Sequence, residues 1–288
     1  MKFLVLGASG MLGASLVPYL LAQGHAVTAH GRSGIGYVHA DLTDATTAIK
    51  LISDCLPDVV TNLAGLTDVD RCQNFPQQAW WANVRVTENV AAACAQSGCH
   101  LMQISSDQVY DGTPTNAEDH ARPGNVYAIT KYAGELAAKM TSTTILRTNF
   151  FGESKHAVRR SLSDWLYASL TQGQAIMVFD DVFFSPLSMQ TLCQYIHQLA
   201  ILRPIGTFNL GSREGQSKAD FAFEFAKTLN LPDHLLTRIS ISQAQELAAW
   251  RPRNMCMNSA KIESVLGQLM PTLAVEIELA ANEYRATT

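Results

Sequence analysis

The first 150 residues alternate short apolar, β-branched runs with longer stretches whose apolar residues recur at helical spacing. This alternation predicts strands near 2–6, 26–30, 36–39, 58–62, 100–105 and 143–147, with helices near 11–23, 44–55, 76–97 and 125–140. The runs "LMQIS" (101–105) and "TTILR" (143–147) are almost continuously apolar, as expected of strands buried on both faces. Strands that take turns with helices imply one doubly wound parallel sheet covered on both sides. Beyond Arg147 the spacing becomes irregular. Helices are predicted near 160–172, 188–200, 217–229, 243–249 and 273–285, interrupted by turn-rich pieces such as "FDDVFFSPLS" and "LGSREGQS". The expected organisation is a domain over 1–152, with returning segments from about 175–205, and a smaller mixed α/β lobe over 153–288. No repeat or low-complexity linker separates the two, so firm packing between them is expected.

Composition narrows the functional classes. With 288 residues, 47% hydrophobic and 16% charged, the chain is expected to fold as a soluble globular protein. A net charge of −4 offers no global attraction to nucleic acid or anionic lipid, so neither partner is expected. The six cysteines form no Cys-x-x-Cys pair and no zinc-type spacing with the eight histidines, which predicts reduced thiols, a cytoplasmic location and no metal site. The apolar run in "MKFLVLGASG" is too brief for a signal peptide, and no window reaches the roughly 18 apolar residues of a membrane helix. A monomer or homodimer is expected.

The predicted first strand leads directly into Gly7, Gly10 and Gly13, a G-x-x-G-x-x-G array opening a helix. In a Rossmann-type arrangement the first glycine turns the chain, the second lets backbone approach a pyrophosphate, and the third lets helix and strand pack closely. A tight strand-to-helix connection is the simpler alternative. Within this loop Ser9, Met11 and Leu12 are the other candidate contacts to the anion at the helix N-terminus. The second strand ends in "VTAHGRSG", without the carboxylate that would bind the ribose hydroxyls of NAD. Arg32 and Ser33 suit a 2′-phosphate instead, so NADPH is favoured, with NADH possible; a solvated loop arginine is the alternative. Asp41 and Leu42 in "HADLTD" are placed where an adenine would be held, although Asp41 could equally cap the next helix. Leu63, Ala64 and Gly65 in "NLAG" leave room for a ligand at the end of the fourth strand.

"NVYAITKYAGE" places Tyr127 and Lys131 one helical turn apart. A nearby ammonium favours the phenolate, so Lys131 is expected to lower the Tyr127 pKa toward useful proton transfer. Upstream, the strand in "LMQISSDQVYDG" ends in Ser105 and Ser106, at the sheet edge where such folds bind ligands. Together with the glycine loop and "NLAG", these residues resemble an extended short-chain dehydrogenase/reductase over most of the chain. The resemblance implies that Ser106 and Tyr127 polarise a carbonyl or alcohol, and that Lys131 also holds the nicotinamide ribose. Asn83 in "WWANV" matches the family's helix asparagine, and a helix-packing amide explains it equally well.

"TDVDRC", "SSDQVYDG", "NVYAITKYAGE", "ILRTNFFG" and "WRPRNMCMNSAKI" resemble the dTDP-4-dehydrorhamnose reductase branch. That branch implies an NAD(P)-dependent oxidoreductase that delivers hydride to C4 of a nucleotide-linked 4-keto-6-deoxy sugar while the tyrosine protonates the oxygen. Similar dehydratases carry an Asp-Glu pair where this chain has Asp107 and Gln108, and glutamine cannot exchange a proton, so elimination is disfavoured. The branch usually has tyrosine at 108 and tryptophan at 150; Gln108 and Phe150 depart from it at the sugar site. Thr67, Ser106, Asp107, Asn149, Phe150, Arg159 and Arg251 are the candidate substrate contacts, with Lys155, His156, Arg160 and Arg253 as further cations beside a diphosphate or on a solvated face. An epimerase on the same scaffold, or a non-catalytic subunit like the regulatory subunit of methionine adenosyltransferase, are the alternatives.

Overall fold

A computed structural model of the chain describes residues 1–32, 34–112, 116–156, 158–244 and 246–287. Six strands form one sheet: β1 (Lys2–Leu6), β2 (Ala26–His30), β3 (Val59–Asn62), β4 (His100–Ile104), β5 (Thr143–Thr148) and β6 (Gly206–Leu210). Their order is β6-β5-β4-β3-β1-β2, and every neighbouring pair is parallel. The chain adds β2 on one side of β1 and then crosses to add β3 on the other. The resulting switch point lies between the carboxyl ends of β1 and β3, where ligands bind in open α/β sheets. β3, β4 and β5 are buried along their whole length, as their unbroken apolar runs require.

Helices cover both faces. Helix α1 (Met11–Ala22) packs through Leu12, Leu16 and Leu20 on one side. On the other, α2 (Ala45–Cys55) contributes Leu51 and Ile52, and α3 (Val86–Ser97) contributes Val90 and Ala93. The Asp44 side chain caps α2 at the Thr47 N–H (2.7 Å), whereas α3 ends on Gly98 in the left-handed region (φ 69°). Beside α3 lies α4 (Val126–Ala138), the helix predicted around Tyr127. A separate apolar cluster beyond residue 150 joins Phe151, Phe184, Phe221 and Phe225 to Leu273 and Ile277.

Several predicted elements change. The strand expected at 36–39 is reduced to a single parallel bridge between His30 and Val38, because Gly34 and Gly36 take positive φ (106° and 86°) and break the extension. The sheet gains β6 at its edge instead, a short run whose polar Asn209 hid it from pattern reading. The helix expected at 76–97 is divided into Pro76–Trp80, a π-turn at Trp81–Arg85, and α3, and it is preceded by a helical turn at Val69–Asn74. Among the described residues of 243–249 no helix forms beyond the single 3₁₀ turn Ile241–Gln243, whereas Ala260–Leu266 is helical. The returning stretch expected near 175–205 contains two parts. Ile176–Phe179 pairs with Leu236–Ile239 outside the sheet, and the return is made by α5 (Met189–Leu202), packed against α1, and then β6.

His100 opens β4 in the interior, its Nε2 2.8 Å from Thr144 Oγ1. Burial, helped by the Arg203 cation, pulls its pKa down to about 4. The unfolded chain therefore takes up a proton near pH 6.5 that the folded chain refuses, so stability is full above that value and declines as the pH falls toward 4. Between pH 7 and pH 4.5 the wild type should lose about 2–3 kcal/mol more than His100→Gln in urea unfolding. Identical pH profiles would contradict this.

Candidate active site

Close approaches only glycine allows shape the switch point. Gly7 has φ 75°, and a Cβ there would lie 2.8 Å from Ala64 N; a Cβ on Gly13 would lie 2.5 Å from Ala8 Cα. The loops after β1 and β3 can thus touch, and α1 can sit directly on its strand. Gly10 caps α1 without a side chain, which leaves the positive end of the helix for an anion. Ser9 and Met11 are half-buried in this loop, and Leu12 is buried in the core beneath it. Arg32 is exposed just past β2; Ser33 lies outside the described residues. Asp41 is exposed and its Oδ1 accepts bonds from the Thr43 N–H and hydroxyl (3.0 and 2.7 Å), so it shapes the turn beside the buried Leu42. Leu63, Ala64 and Gly65 are half-buried at the end of β3. The close glycine packing, the helix start without a side-chain cap and the exposed Arg32 guanidinium fit a dinucleotide with its pyrophosphate at α1.

The reactive side chains gather where β4 meets α4. Asn125 caps α4 by accepting from the Ala128 N–H (2.8 Å), and its amide donates to the Trp250 carbonyl (3.0 Å). One face of α4 is then buried, carrying Tyr127, Thr130, Lys131, Gly134 and Glu135. That face holds three consecutive residues. Lys131 Nζ donates to the Ile104 carbonyl (2.7 Å), Glu135 Oε1 accepts from the Ser105 hydroxyl (2.5 Å), and the Ser106 hydroxyl partners the Tyr127 phenol. Asn83, inside the π-turn, accepts from the Leu66 N–H (2.8 Å) and donates to the Leu66 carbonyl (3.1 Å) and the Thr130 hydroxyl (3.0 Å). It ties the loop after β3 to α4, which is the helix-packing alternative. A π-turn is often found at a functional site.

Burial dominates the protonation states. It pushes the Tyr127 phenol above its ordinary value; the Ser106 hydrogen bond opposes the rise, and Asp107 and Cys72 add to it. The expected lowering is therefore overturned, because desolvation of the buried phenolate sets the direction of the shift. Burial likewise pulls Lys131 down to about 8, with Glu135 and Cys72 resisting. Asp107 is 1% exposed, and burial pushes its carboxyl up to about 6 against the opposing effects of the Asn149 amide, Lys218 and Ser106.

The substrate-side candidates divide. Asn149 Nδ2 donates to Asp107 Oδ2 (2.6 Å), and Phe150 pairs with Leu187 beside it, half-buried. Thr67 is exposed beyond β3, and Arg159 and Arg160 are exposed ahead of the helix Leu162–Thr171. Lys155 is paired with Glu153, and the half-buried His156 accepts from the Arg159 N–H (2.9 Å). Arg251 bonds Asp70 Oδ2 (2.7 Å) and the Ala249 carbonyl (2.8 Å), and Arg253 pairs with Asp181 (3.0 Å). Arg251 therefore anchors the C-terminal segment to "TDVDRC". Sequence reasoning missed Glu135, whose spacing from Lys131 repeats that of Lys131 from Tyr127.

The RmlD substrate-binding-domain family matches residues 1–286. The chain belongs to that family. It is 28% identical over 295 residues to the "Probable low-salt glycan biosynthesis reductase Agl14" of Haloferax volcanii, covering 97% of this chain and 96% of the relative. It is 29% identical over 296 residues to methionine adenosyltransferase 2 subunit beta of Pongo abelii, covering 94% and 84%. A crystal structure of dTDP-4-dehydrorhamnose reductase from Bacillus anthracis in complex with NADP has the same fold, with a TM-score of 0.89 and 23% identity over 98% of this chain and 99% of that one. The expected class, an NAD(P)-dependent oxidoreductase of the short-chain dehydrogenase/reductase kind, agrees with this membership. Among the described residues, no helix is long and apolar enough to cross a membrane.

The Glu135–Arg147 pair (2.7 Å) is 0% and 1% exposed. Replacing one partner strands the other charge in the interior. Glu135→Gln should lower unfolding stability by about 3 kcal/mol or more, whereas Ser105→Ala should lose about 1–3 kcal/mol, both measured by urea titration. A Glu135→Gln loss below that of Ser105→Ala would contradict the arrangement.

Proposed function

We propose that the chain is an NADPH-dependent reductase, with NADH as a second cofactor, of a nucleotide-linked 4-keto-6-deoxy sugar. The observation that carries this reading is the buried cluster of Ser106, Tyr127 and Lys131 at the carboxyl edge of β4. Gly7, Gly10, Gly13 and Arg32 would hold the dinucleotide, which when bound supplies a hydride to the sugar carbonyl. Ser106 donates a hydrogen bond to that carbonyl oxygen. Tyr127, kept protonated at neutral pH by its burial, gives the oxygen its proton. Lys131 remains an ammonium below about pH 8 and stabilises the phenolate left behind. Beside Asp107 stands Gln108, which cannot serve as the second proton-transfer group of a dehydratase. Similarity to the methionine adenosyltransferase subunit supports a second reading, a non-catalytic NADP-binding subunit.

NADPH absorbance should fall stoichiometrically with at least one of a panel of dTDP-, GDP-, CDP- and UDP-4-keto sugars. Turnover should decline as the pH rises through about 8, where Lys131 gives up its charge. Tyr127→Phe should lower turnover on the order of 10²–10⁴-fold while NADPH binding persists. If no ketosugar is consumed, the reductase reading fails and the subunit reading is favoured; turnover without net absorbance change would mark an epimerase.

A further inference from the structure

Ser106 cannot hold Asp107 and donate to a substrate at the same time. A serine hydroxyl has one hydrogen and two lone pairs. Ser106 caps the 3₁₀ turn Asp107–Val109 at the carboxyl edge of β4, and its Oγ accepts the Gln108 N–H (3.2 Å). Its single hydrogen goes to Asp107 Oδ1 (3.2 Å). Both residues are buried, at 6% and 1% exposure, so bulk water does not compete for that bond. While Asp107 is a carboxylate, the hydrogen that a substrate carbonyl would need is therefore already taken.

The other carboxyl oxygen shows how that hydrogen is released. Asn149 Nδ2 donates to Asp107 Oδ2 (2.6 Å), and an amide nitrogen can only donate. Oδ2 must therefore stay an acceptor, so a proton taken up by the carboxyl goes to Oδ1, the oxygen that faces Ser106. Protonated there, Asp107 donates to Ser106 Oγ instead of accepting from it. The two lone pairs of Ser106 then receive Gln108 and Asp107, and its hydrogen is released. One proton thus reverses one hydrogen bond and turns Ser106 into a donor. The surroundings favour its uptake: burial pushes the Asp107 carboxyl up to about 6, opposed by the Asn149 amide, by Lys218 at the start of the helix Lys218–Thr228, and by the Ser106 hydroxyl and Gln108 N–H. The other titratable groups near Asp107 are the Tyr127 phenol on α4 and the Cys256 thiol, and burial raises both, so neither carries charge near pH 6.

We propose that Asp107 is a positioning residue that acts through Ser106: a proton on its Oδ1, directed there by Asn149, decides whether the Ser106 hydroxyl turns to Asp107 or to a substrate carbonyl. The carbonyl end of this inference rests on the reductase reading and deepens it. Because a carbonyl oxygen needs the donor form, substrate binding draws the proton from solvent onto Asp107, and the complex keeps it to higher pH than the free protein.

Two measurements test it. In the free protein carrying carboxyl-labelled aspartate, a carbon resonance that disappears in Asp107→Asn should titrate near pH 6. Its midpoint should rise in Asn149→Ala and in Ser106→Ala, because the hydrogen bond to the charged carboxylate is the stronger one that each removes. With NADPH and a ketosugar, kcat/KM reports the free protein and should fall as the pH rises through about 6, whereas kcat holds until Lys131 titrates near 8. From about pH 5.5 to about pH 7.5 the wild-type kcat/KM should drop on the order of tenfold or more, and that of Asp107→Asn less than about twofold. The amide at 107 accepts from Asn149 and donates to Ser106, as the protonated acid does. A midpoint unmoved by either substitution, or an Asp107→Asn profile that superimposes on the wild type, overturns the inference. So does an Asp107→Asn as inactive at every pH as Ser106→Ala, the result expected of a carboxyl that itself touches substrate. The coupled titration with no ketosugar consumed would sink the reductase reading alone and leave the Asp107 control of Ser106 standing.

Discussion

The active edge depends on a carboxylate buried out of reach of water. Glu135 accepts from the Ser105 hydroxyl with one oxygen, and both of its oxygens accept from Arg147. A lone carboxylate there would be prohibitively desolvated, so the pair must form together. Arg147 then reaches the Tyr110 hydroxyl (2.7 Å) and the Glu118 carbonyl (2.8 Å), and Tyr110 reaches Asn209 on β6 (2.6 Å). A single network thereby joins β4, β5, β6 and α4. With Lys131 on the Ile104 carbonyl, it fixes the strand end that presents Ser106.

Close backbone contact does the corresponding work at the switch point. Gly7 against Ala64, Gly13 against Ala8 and Gly65 against Asn83 leave no room for a Cβ at any of the three. Gly134 meets the Asn83 carbonyl in the same way, at 2.5 Å from where its Cβ would stand. The π-turn at Trp81–Arg85 rotates Asn83 into this junction, so one amide bonds both the loop after β3 and α4. The loops after β1 and β3 and helix α4 are consequently packed into one junction.

Residues beyond 180 are joined to these elements by buried contacts. Glu276, 1% exposed on the helix Leu273–Thr287, accepts from the Ser188 N–H and the Thr191 hydroxyl, fixing the start of α5. Trp250 packs over Gly124, where a Cβ would lie 2.5 Å from its ring. Arg251, bound to Asp70, ties the C-terminal segment to the loop after β3.

Local pattern by itself determined most of the sheet, the glycine loop, and the Tyr127 and Lys131 helix, because each of these follows from periodicity or from a spacing within one element. It passed over β6 and smoothed the helix at 76–97 across its π-turn, since a five-residue edge strand and a one-residue bulge leave the apolar period nearly intact. The direction of the Tyr127 shift was misjudged for a related reason: spacing supplies the neighbouring charge, but desolvation depends on everything packed around the ring. Tertiary structure alone decided that Arg251 is bound to Asp70 and that Glu135 belongs with Ser105 and Arg147. Pairing and burial are sums over distant segments, and no local stretch of chain contains them.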